Sequence, residues 1–171
     1  MKTPKALTQS TIVDFLADIF DRRGGEEYLG EPVTMAEHML QGATLAEEAG
    51  LPDEVIVATL LHDIGHFTSD FGSFSMADTE DRFHEEAGAR VLEQFFPALV
   101  TDCVRHHVAA KRYLCATKPD YFARLSAASV HSLNFRAGRC QKARSTRSRL
   151  IRTSPRLFRS GTWTMPANAP I

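Results

Sequence analysis

The chain has 171 residues, of which 43% are hydrophobic and 24% are charged, and this is ordinary for one soluble globular domain with a real core. No apolar run is long enough for a transmembrane helix, and residues 1–10 lack the apolar centre of a secretion signal, so we expect a cytoplasmic protein with no membrane partner. Three cysteines without a CxxC spacing predict reduced thiols, and they exclude a disulfide framework and a zinc knuckle.

The net charge of −1 hides two different compositions. All 21 acidic residues lie at or before Asp120, and residues 1–133 carry 11 basic residues, which gives a net charge of −10. Residues 134–171 contain eight arginines, one lysine and no acidic residue, which gives +9. We therefore predict a domain over residues 1–133 and a basic, poorly ordered tail over residues 134–171.

Two helices are predicted before the most informative stretch of the chain. The first covers residues 12–20, where apolar residues recur three and four apart, and Gly24-Gly25 ends it. After a loop over residues 27–32, Thr34 and Glu37 form a capping box for a second helix that runs to about residue 49. His38 lies close to the inward face of that helix, where it is either a hydrogen-bonded core residue or a metal ligand.

The stretch Leu60-Leu61-His62-Asp63-Ile64-Gly65-His66 follows an almost wholly apolar helix, which belongs at the centre of the domain. An unpaired carboxylate at the end of such a helix is costly to bury, so a cation or a charge partner is required. Asp63 is best placed to bridge two ions. We expect Gly65 to let the backbone turn sharply away.

Further helices are predicted downstream. Residues 67–82 lack periodicity and are interpreted as a lid or binding loop. His84 begins a helix through residue 96, which Pro97 ends, and Ala98 begins another to about residue 106. His107 follows, and Lys111 lies four residues later, on the same side if the segment is helical. A last helix is predicted from Pro119 through Leu133, in which Ser126 and Ser129 can make polar contacts.

Four separated histidines and one aspartate in an all-helical context favour a metal centre assembled from several helices over scattered structural histidines. The fold class predicted from these patterns is all-α, a bundle with its metal site between helices.

The order His38, His62-Asp63, His84, His107 resembles the HD-domain superfamily of metal-dependent phosphohydrolases. Within it, Tyr28-Leu29-Gly30-Glu31, the 60–66 stretch and His107-Val108-Ala109-Ala110-Lys111-Arg112-Tyr113-Leu114 resemble the mixed-valent diiron oxygenases that cleave carbon–phosphorus bonds. The resemblance spans residues 26 to about 133, and the segment from His107 to Leu114 is more specific than the His-Asp pair.

The resemblance implies two iron ions, Fe(II) and Fe(III), although another divalent metal is compatible with the same ligands. It implies that a small anionic phosphonate of the 1-hydroxy-2-aminoethyl type and dioxygen are the substrates, in phosphonate catabolism. The implied metal ligands are His38, His62, Asp63, His84 and His107, with Asp63 bridging. His66 and Lys111 would bind the phosphonate with help from Ser126 or Ser129, and Tyr28 and Glu31 would form a gate that the correct ligand displaces.

The sequence departs from the family in one respect. The family's last ligand is an aspartate beyond the Ser126 helix, and no Asp or Glu follows Asp120 here. The departure suggests a reading-frame shift near residue 134, and the alternative is a genuine basic tail for anionic partners, although nucleic-acid motifs are absent. Two further hypotheses follow: a hydrolase of phosphate esters or nucleotides, in which the metal activates water, and an inactive protein with an incomplete site.

Overall fold

The computed structural model describes residues 7–28, 30–68, 83–126, 129–130 and 133. Within these ranges the regular secondary structure is helical, and an isolated antiparallel bridge joins Glu27 to Thr34. The all-α class predicted from the sequence is confirmed. The helices are α1 (Ile12–Arg23), α2 (Met35–Glu48), α3 (Asp53–Leu61), α4 (Gly65–Thr68), α5 (His84–Leu92), α6 (Ala98–Thr117) and α7 (Pro119–Phe122).

The beginning of α2 is fixed by side chains of its own first turn. The Thr34 hydroxyl accepts a hydrogen bond from the Glu37 amide at 3.2 Å, and the Glu37 carboxylate accepts one from the Thr34 amide at 2.7 Å. This reciprocal arrangement satisfies two amides that have no partner within the helix, as the capping-box sequence predicts. It also fixes where the first turn of α2 places His38.

The core lies where α3 packs between α2 and α6. The C-terminal end of α3 leads directly into the site. Leu61 and Ile64 are buried in one apolar cluster with residues of α1, α2, α5 and α6. Because α3 is apolar on all sides, both of its flanks are covered by helices, and its last turn delivers His62 and Asp63 into the interior. Within the described residues, no helix has both the length and the apolar character needed to span a membrane.

Two predicted helix boundaries are wrong. Helix α5 ends at Leu92, a turn earlier than expected, and residues 93–95 form turns before Pro97. Helix α6 runs unbroken over 20 residues from Ala98 to Thr117, so the break expected near residue 106 does not exist. No glycine or proline interrupts this segment, and buried apolar residues along it favour one long helix over two short ones.

The last predicted helix is also wrong as a continuous element. Helix α7 ends at Phe122, and residues 123–126 leave the helical conformation. The Ser126 hydroxyl accepts a hydrogen bond from the Ser129 amide at 3.1 Å, and the Val130 amide donates to the Ser126 carbonyl at 3.0 Å. Serine hydroxyls compete for backbone amides in this way at helix starts, so Ser126 begins a new turn instead of continuing the old one.

Several sequence predictions lie outside the described residues. The lid or binding loop is one, apart from Phe67 and Thr68, which belong to α4. The basic tail over residues 134–171 and Cys140 are the others, while Cys103 and Cys115 are buried, reduced thiols. The division of the chain at residue 133 stays a prediction.

Candidate metal centre

Asp63 is the centre of the site. Its side chain is 5% exposed, and it follows the buried end of α3 directly. Each of its two carboxylate oxygens faces a different pair of imidazoles. One carboxylate thus lies between two separate groups of potential ligands, which are defined below as group A and group B.

Group A consists of His38, His62 and the Oδ2 atom of Asp63. The Nε2 atoms of His38 and His62 are 3.2 Å apart, and they lie 3.5 and 3.2 Å from Oδ2. Helix α2 provides His38 and the end of α3 provides the other two residues. All three ligand atoms are within 4.8 Å of one another, a spacing that a single metal ion can fill.

Group B consists of His84, His107 and the Oδ1 atom of Asp63. The two Nε2 atoms are 3.2 Å apart, and they lie 3.2 and 3.5 Å from Oδ1. His84 is the first residue of α5, and His107 lies in the middle of α6. Group B therefore becomes a cluster only when two helices from the second half of the chain pack against the end of α3.

Backbone carbonyls orient two of these imidazoles. The Nδ1–H of His62 donates to the Thr59 carbonyl at 2.7 Å, and that of His107 donates to the Val104 carbonyl at 2.8 Å. A neutral imidazole that donates through Nδ1 has its lone pair on Nε2, so both rings present a lone pair to the carboxylate. The same kind of bond orients histidines that bind metal ions.

The electrostatics of the cluster favour neutral imidazoles around an ionised carboxylate. Burial lowers the pKa of His38 to about 3, and burial also lowers the pKa values of His84 and His107. Burial alone would raise the pKa of Asp63, but the surrounding imidazoles, His62 first among them, outweigh this effect, and that pKa is held well below its usual range. Unprotonated nitrogens and a carboxylate are the forms that bind a cation.

Two glycines allow α4 and α5 to approach closely beside the cluster. A Cβ atom on Gly65 would overlap the backbone carbonyl of His84, and a Cβ on Gly88 would lie 3.1 Å from the Gly65 amide nitrogen. The chain turns at residues 62–64 between α3 and α4, and Gly65 follows this turn without a positive φ. Its role is to bring the His84 backbone against the end of α3, which positions group B.

Tyr28 is buried against the cluster, and only 3% of its surface is exposed. Its ring stacks on His38 with centroids 3.9 Å apart and planes 13° apart. Burial raises the pKa of its phenol well above 10, and the negative charges of Asp63 and Glu31 add to this effect. Glu31 lies in the same turn, where its amide donates to the Tyr28 carbonyl at 2.8 Å. Of the two residues implied as a gate, Tyr28 thus lies against group A, and Glu31 lies next to Tyr28.

His66 and Lys111 lie next to the cluster as well. The His66 ring stacks on His84 with centroids 4.0 Å apart, and its Nε2 is 3.8 Å from Asp63 Oδ1. The positive charge of Lys111 contributes to the lowered pKa values of His38 and His107, so it acts on both groups. Lys111 follows His107 by one helical turn of α6, on the side that the sequence predicts.

Ser126 and Ser129 have a different environment. Their hydrogen bonds are local to the turn that they form, and Leu133 packs in a small apolar cluster with the end of α6 and with Tyr121. No contact joins either serine to group A or group B within the part of the chain that the structure describes. Their role in substrate binding stays a prediction.

Sequence reasoning missed the residues that support the ligands. Thr59 and Val104 each stand three positions before a histidine in a helix, which is the spacing at which a backbone carbonyl reaches the Nδ1 of that histidine. That spacing could have been found from the sequence. The close approach at Gly88 could not, because nothing in the local sequence indicates which backbone lies opposite.

The cluster fits a metal ion on its own chemistry. In group A, Nδ1 of His62 donates to Thr59, so the lone pair of the neutral ring lies on Nε2, and the same holds for His107 in group B. Within each group, two imidazole nitrogens and a carboxylate oxygen lie within 4.8 Å of one another. A cation bound within a group would offset the buried negative charge of Asp63. The cluster can hold a metal ion with imidazole and carboxylate ligands.

Comparison with known protein families agrees with this arrangement. The HD-domain profile matches residues 35–145, more than half of the chain. The chain belongs to the HD-domain family. The match includes the His62-Asp63 pair for which this family is named and all the other residues of groups A and B.

Two curated relatives are similar over most of the chain. One is the [1-hydroxy-2-(trimethylamino)ethyl]phosphonate dioxygenase (glycine-betaine-forming) of Leisingera caerulea, which is 74% identical over 132 residues, 77% of the chain. The other is the hydroxymethylphosphonate dioxygenase of Gimesia maris, which is 44% identical over 115 residues, 67% of the chain. The aligned regions span 67% and 57% of the lengths of these relatives.

Proposed function

We propose that this HD-domain protein is an iron-dependent oxygenase that cleaves the carbon–phosphorus bond of a small 1-hydroxyphosphonate and releases phosphate. The observation that carries the proposal is the pair of ligand groups that share Asp63, each oxygen 3.2 Å from an imidazole nitrogen of its group. The dioxygenases to which the chain is 74% and 44% identical support the reaction class.

In this proposal His38, His62 and Asp63 hold one iron, and Asp63, His84 and His107 hold the other. Two bound irons, one Fe(II) and one Fe(III), supply open coordination positions and redox capacity for dioxygen and for the substrate hydroxyl. The lowered imidazole pKa values keep the ligand nitrogens unprotonated at neutral pH. Nitrogen and oxygen ligands without a thiolate are suited to iron, and they also accept manganese or zinc.

The surrounding residues have separate tasks. Lys111 neutralises the phosphonate, because it provides positive charge next to both groups. His66 donates a hydrogen bond to a phosphonate oxygen from its place beside His84. Tyr28, stacked on His38 and kept neutral by burial, covers the group A side until substrate displaces it together with Glu31. Ser126 or Ser129 would assist from the turn beyond α7.

The overall reaction balances without an external reductant. A 1-hydroxyphosphonate and one dioxygen give a carboxylate, a phosphate and one proton, so both oxygen atoms end in the products and the substrate provides all four electrons. A protein with two metals and a cationic phosphonate site needs no further cofactor for this chemistry.

We propose that the substrate carries a trimethylammonium group. The reason is that the chain is 74% identical to the dioxygenase of the trimethylamino compound and only 44% identical to the hydroxymethylphosphonate dioxygenase. The products are then glycine betaine and phosphate. The test is to load the full chain with Fe(II) and offer the trimethylamino, the amino and the hydroxymethyl phosphonates in turn. We expect oxygen consumption equal to phosphate release, fastest with the trimethylamino compound. Absence of phosphate from all three would refute the proposal.

The second candidate is a metal-dependent phosphohydrolase, which the HD-domain match favours as a general class. In that case the same two groups would activate water, and phosphate esters or nucleotides would be cleaved without oxygen. Turnover under anaerobic conditions separates the candidates, since only the hydrolase continues when dioxygen is removed.

The distal aspartate that the family resemblance implies has no counterpart after Asp120. Group A has three ligands within the described residues, and a missing carboxylate would weaken its hold on iron. The third candidate, an inactive protein with a partly filled site, would therefore show metal in group B only and no turnover of any phosphonate.

A further inference from the structure

Arg23, the last residue of α1, contacts two segments that approach the metal centre from different directions. Its guanidinium donates from Nε and Nη2 to the two carboxylate oxygens of Glu26, at 2.6 and 3.1 Å. Its Nη1 donates to the Phe67 carbonyl at 2.8 Å, and its Cζ atom lies 4.9 Å from the centroid of the Phe67 ring. The Arg23 side chain thus contacts the Glu26 carboxylate, the Phe67 carbonyl and the Phe67 ring at the same time.

The first of these segments leads to Tyr28. The Glu26 carbonyl accepts a hydrogen bond from the Met35 amide at 2.8 Å, and the Tyr28 amide donates to the Val33 carbonyl at 3.0 Å. Backbone hydrogen bonds therefore connect Glu26 and Tyr28 to the start of α2, and Glu26 is also attached to Arg23. Tyr28, two residues after Glu26, stacks on His38 of group A.

The second segment leads to His66. Phe67 belongs to α4, and its amide donates to the Ile64 carbonyl at 3.0 Å, so its backbone is rigidly connected to the end of α3. His66, the residue before it, stacks on His84 of group B. Within the described residues, Asp63 belongs to both group A and group B and connects them directly. Arg23 connects the two groups a second time, because it contacts the segment that carries Tyr28 and the segment that carries His66.

We propose that Arg23 is a positioning residue that sets the place of Tyr28 relative to His66 across the two ligand groups, an inference that rests on the proposed phosphonate oxygenase activity. Substrate that displaces Tyr28 while it binds His66 must find the two side chains at a fixed separation. The connection through Arg23 fixes that separation before substrate binds. Small errors in such placement reduce catalysis strongly.

Arginine is suited to this role and lysine is not. A planar guanidinium makes a paired contact with a carboxylate and also stacks on an aromatic ring, whereas an ammonium does neither in the same geometry. The Arg23 and Glu26 side chains are 33% and 38% exposed, so their ion pair adds little to global stability. A change at Arg23 is therefore expected to alter the site before it alters the fold.

The test compares Arg23→Met with Arg22→Met in the full, zinc-loaded chain. Arg22 is the preceding residue of α1 and pairs only across the helix surface with Asp18, at 2.8 Å with side chains 75% and 51% exposed. With ¹³C-labelled tyrosine, the ring signals of Tyr28 report its stacking on His38, and a Tyr28→Phe variant assigns them. We expect Arg23→Met to move these signals toward those of an exposed tyrosine and Arg22→Met to leave them unchanged.

Iron-loaded protein gives the second readout. Arg23→Met is expected to lower kcat/KM for the phosphonate about tenfold, while Arg22→Met and the midpoint of unfolding change little. Arg23→Lys should recover only part of the loss. If Arg23→Met fails to fold, Glu26→Gln replaces it, since it removes the charge from the same contact and should shift the Tyr28 signals in the same direction.

The proposal is overturned if the Arg23 and Glu26 variants give the same Tyr28 signals as Arg22→Met. Should the unsubstituted chain turn over no phosphonate, the proposed function fails, and the Tyr28 signals decide about Arg23 independently of it.

Discussion

At the scale of single residues, the site depends on the way in which Asp63 divides its two oxygens. Oδ2 faces His38 and His62, and Oδ1 faces His84 and His107. An aspartate at the surface would make one of these contacts at most. Because Asp63 is buried at the end of an apolar helix, four imidazoles share its one carboxylate. We therefore expect metal binding to be most sensitive to loss of the Asp63 charge.

Asp63→Asn keeps the shape of the side chain and removes the charge. Because both ligand groups lose their anionic oxygen, we expect metal affinity to fall by at least about a hundredfold at both positions. Elemental analysis after dialysis and a titration followed by calorimetry measure this loss. Asp102→Asn, at a partly exposed position near Arg105, is the matched control and should retain full metal content. Retention of two metals by Asp63→Asn would contradict the assignment.

The imidazoles make the stability of the metal-free protein depend on pH. His38, His84 and His107 have folded-state pKa values below the ordinary 6.5, that of His38 being about 3, so the unfolded chain binds more protons below pH 6.5. The free energy of unfolding is therefore highest above pH 6.5 and decreases as the pH falls, by about 1.4 kcal/mol per pH unit for each histidine.

Denaturant titrations of the metal-free chain between pH 7 and pH 4.5 test this dependence. Asp63 contributes no slope in that range, because its pKa lies below 3.8 and its contribution is lost only at lower pH. His38→Gln should reduce the slope by about one proton, or about 1.4 kcal/mol per pH unit. Stability that is independent of pH over this range would mean that the imidazoles are not buried as neutral groups.

At the scale of elements, the position of α5 is decided by its contact with α4. Gly65 and Gly88 face each other's backbone, and the Cβ that any other residue would add to Gly65 collides with the His84 carbonyl. Backbone cannot move aside as a flexible side chain can. The first turn of α5, which carries His84, can therefore pack against α4 only because residues 65 and 88 are glycines.

Gly65→Ala should separate α4 from α5. We expect the free energy of unfolding to fall by about 2–3 kcal/mol, and His84 to leave group B, so that metal affinity also falls. Gly25→Ala is the control, because no atom lies within 4 Å of a Cβ at Gly25, and its effect should stay within about 0.5 kcal/mol. Denaturant unfolding and metal titration of both variants measure the difference. Equal stability of the two variants would show that the contact is not tight.

At the scale of the whole molecule, the uneven distribution of acidic residues along the chain bears directly on the number of metal ligands. The first 133 residues carry a net charge of −10, yet the family's distal aspartate has no counterpart among residues 121–171, which contain no acid. Group A therefore has one carboxylate oxygen and two imidazoles among the described residues, as group B does. The family resemblance implies that the distal aspartate binds the same metal as the first histidine and the His-Asp pair, so in the proposed assignment the missing ligand belongs to group A.

Metal titration of the full chain should consequently show two steps of unequal affinity. The weaker step is expected to belong to group A, and added formate should strengthen it because a free carboxylate can occupy the empty coordination position. We expect at least a tenfold gain in affinity at formate concentrations that leave the stronger step unchanged. His38→Gln, which removes a group A ligand, should abolish the weaker step. A single step with two equal metals would contradict the prediction.

Much of the fold follows from local signals that the structure confirms. The capping box at Thr34 and Glu37 and the apolar run from Val55 to Leu61 determine where α2 and α3 lie in the chain, because caps and burial act over a few residues. Helix α6 continues past residue 106, where a break was expected, because tertiary packing outweighs periodicity. Helix α7 ends at Phe122, where it was expected to continue, because serine hydrogen bonding begins a new turn.

The sequence by itself determined which side chains could bind a metal, since four histidines and an aspartate at helical positions favour a metal centre over scattered structural histidines. Tertiary structure alone decided that these residues meet as two groups around one carboxylate, that Tyr28 is buried against His38, and that Gly65 serves close packing. The physical reason is that helix patterns repeat every few residues, whereas the contacts of Asp63 join residues up to 44 positions apart, and only the packing of whole helices sets such distances.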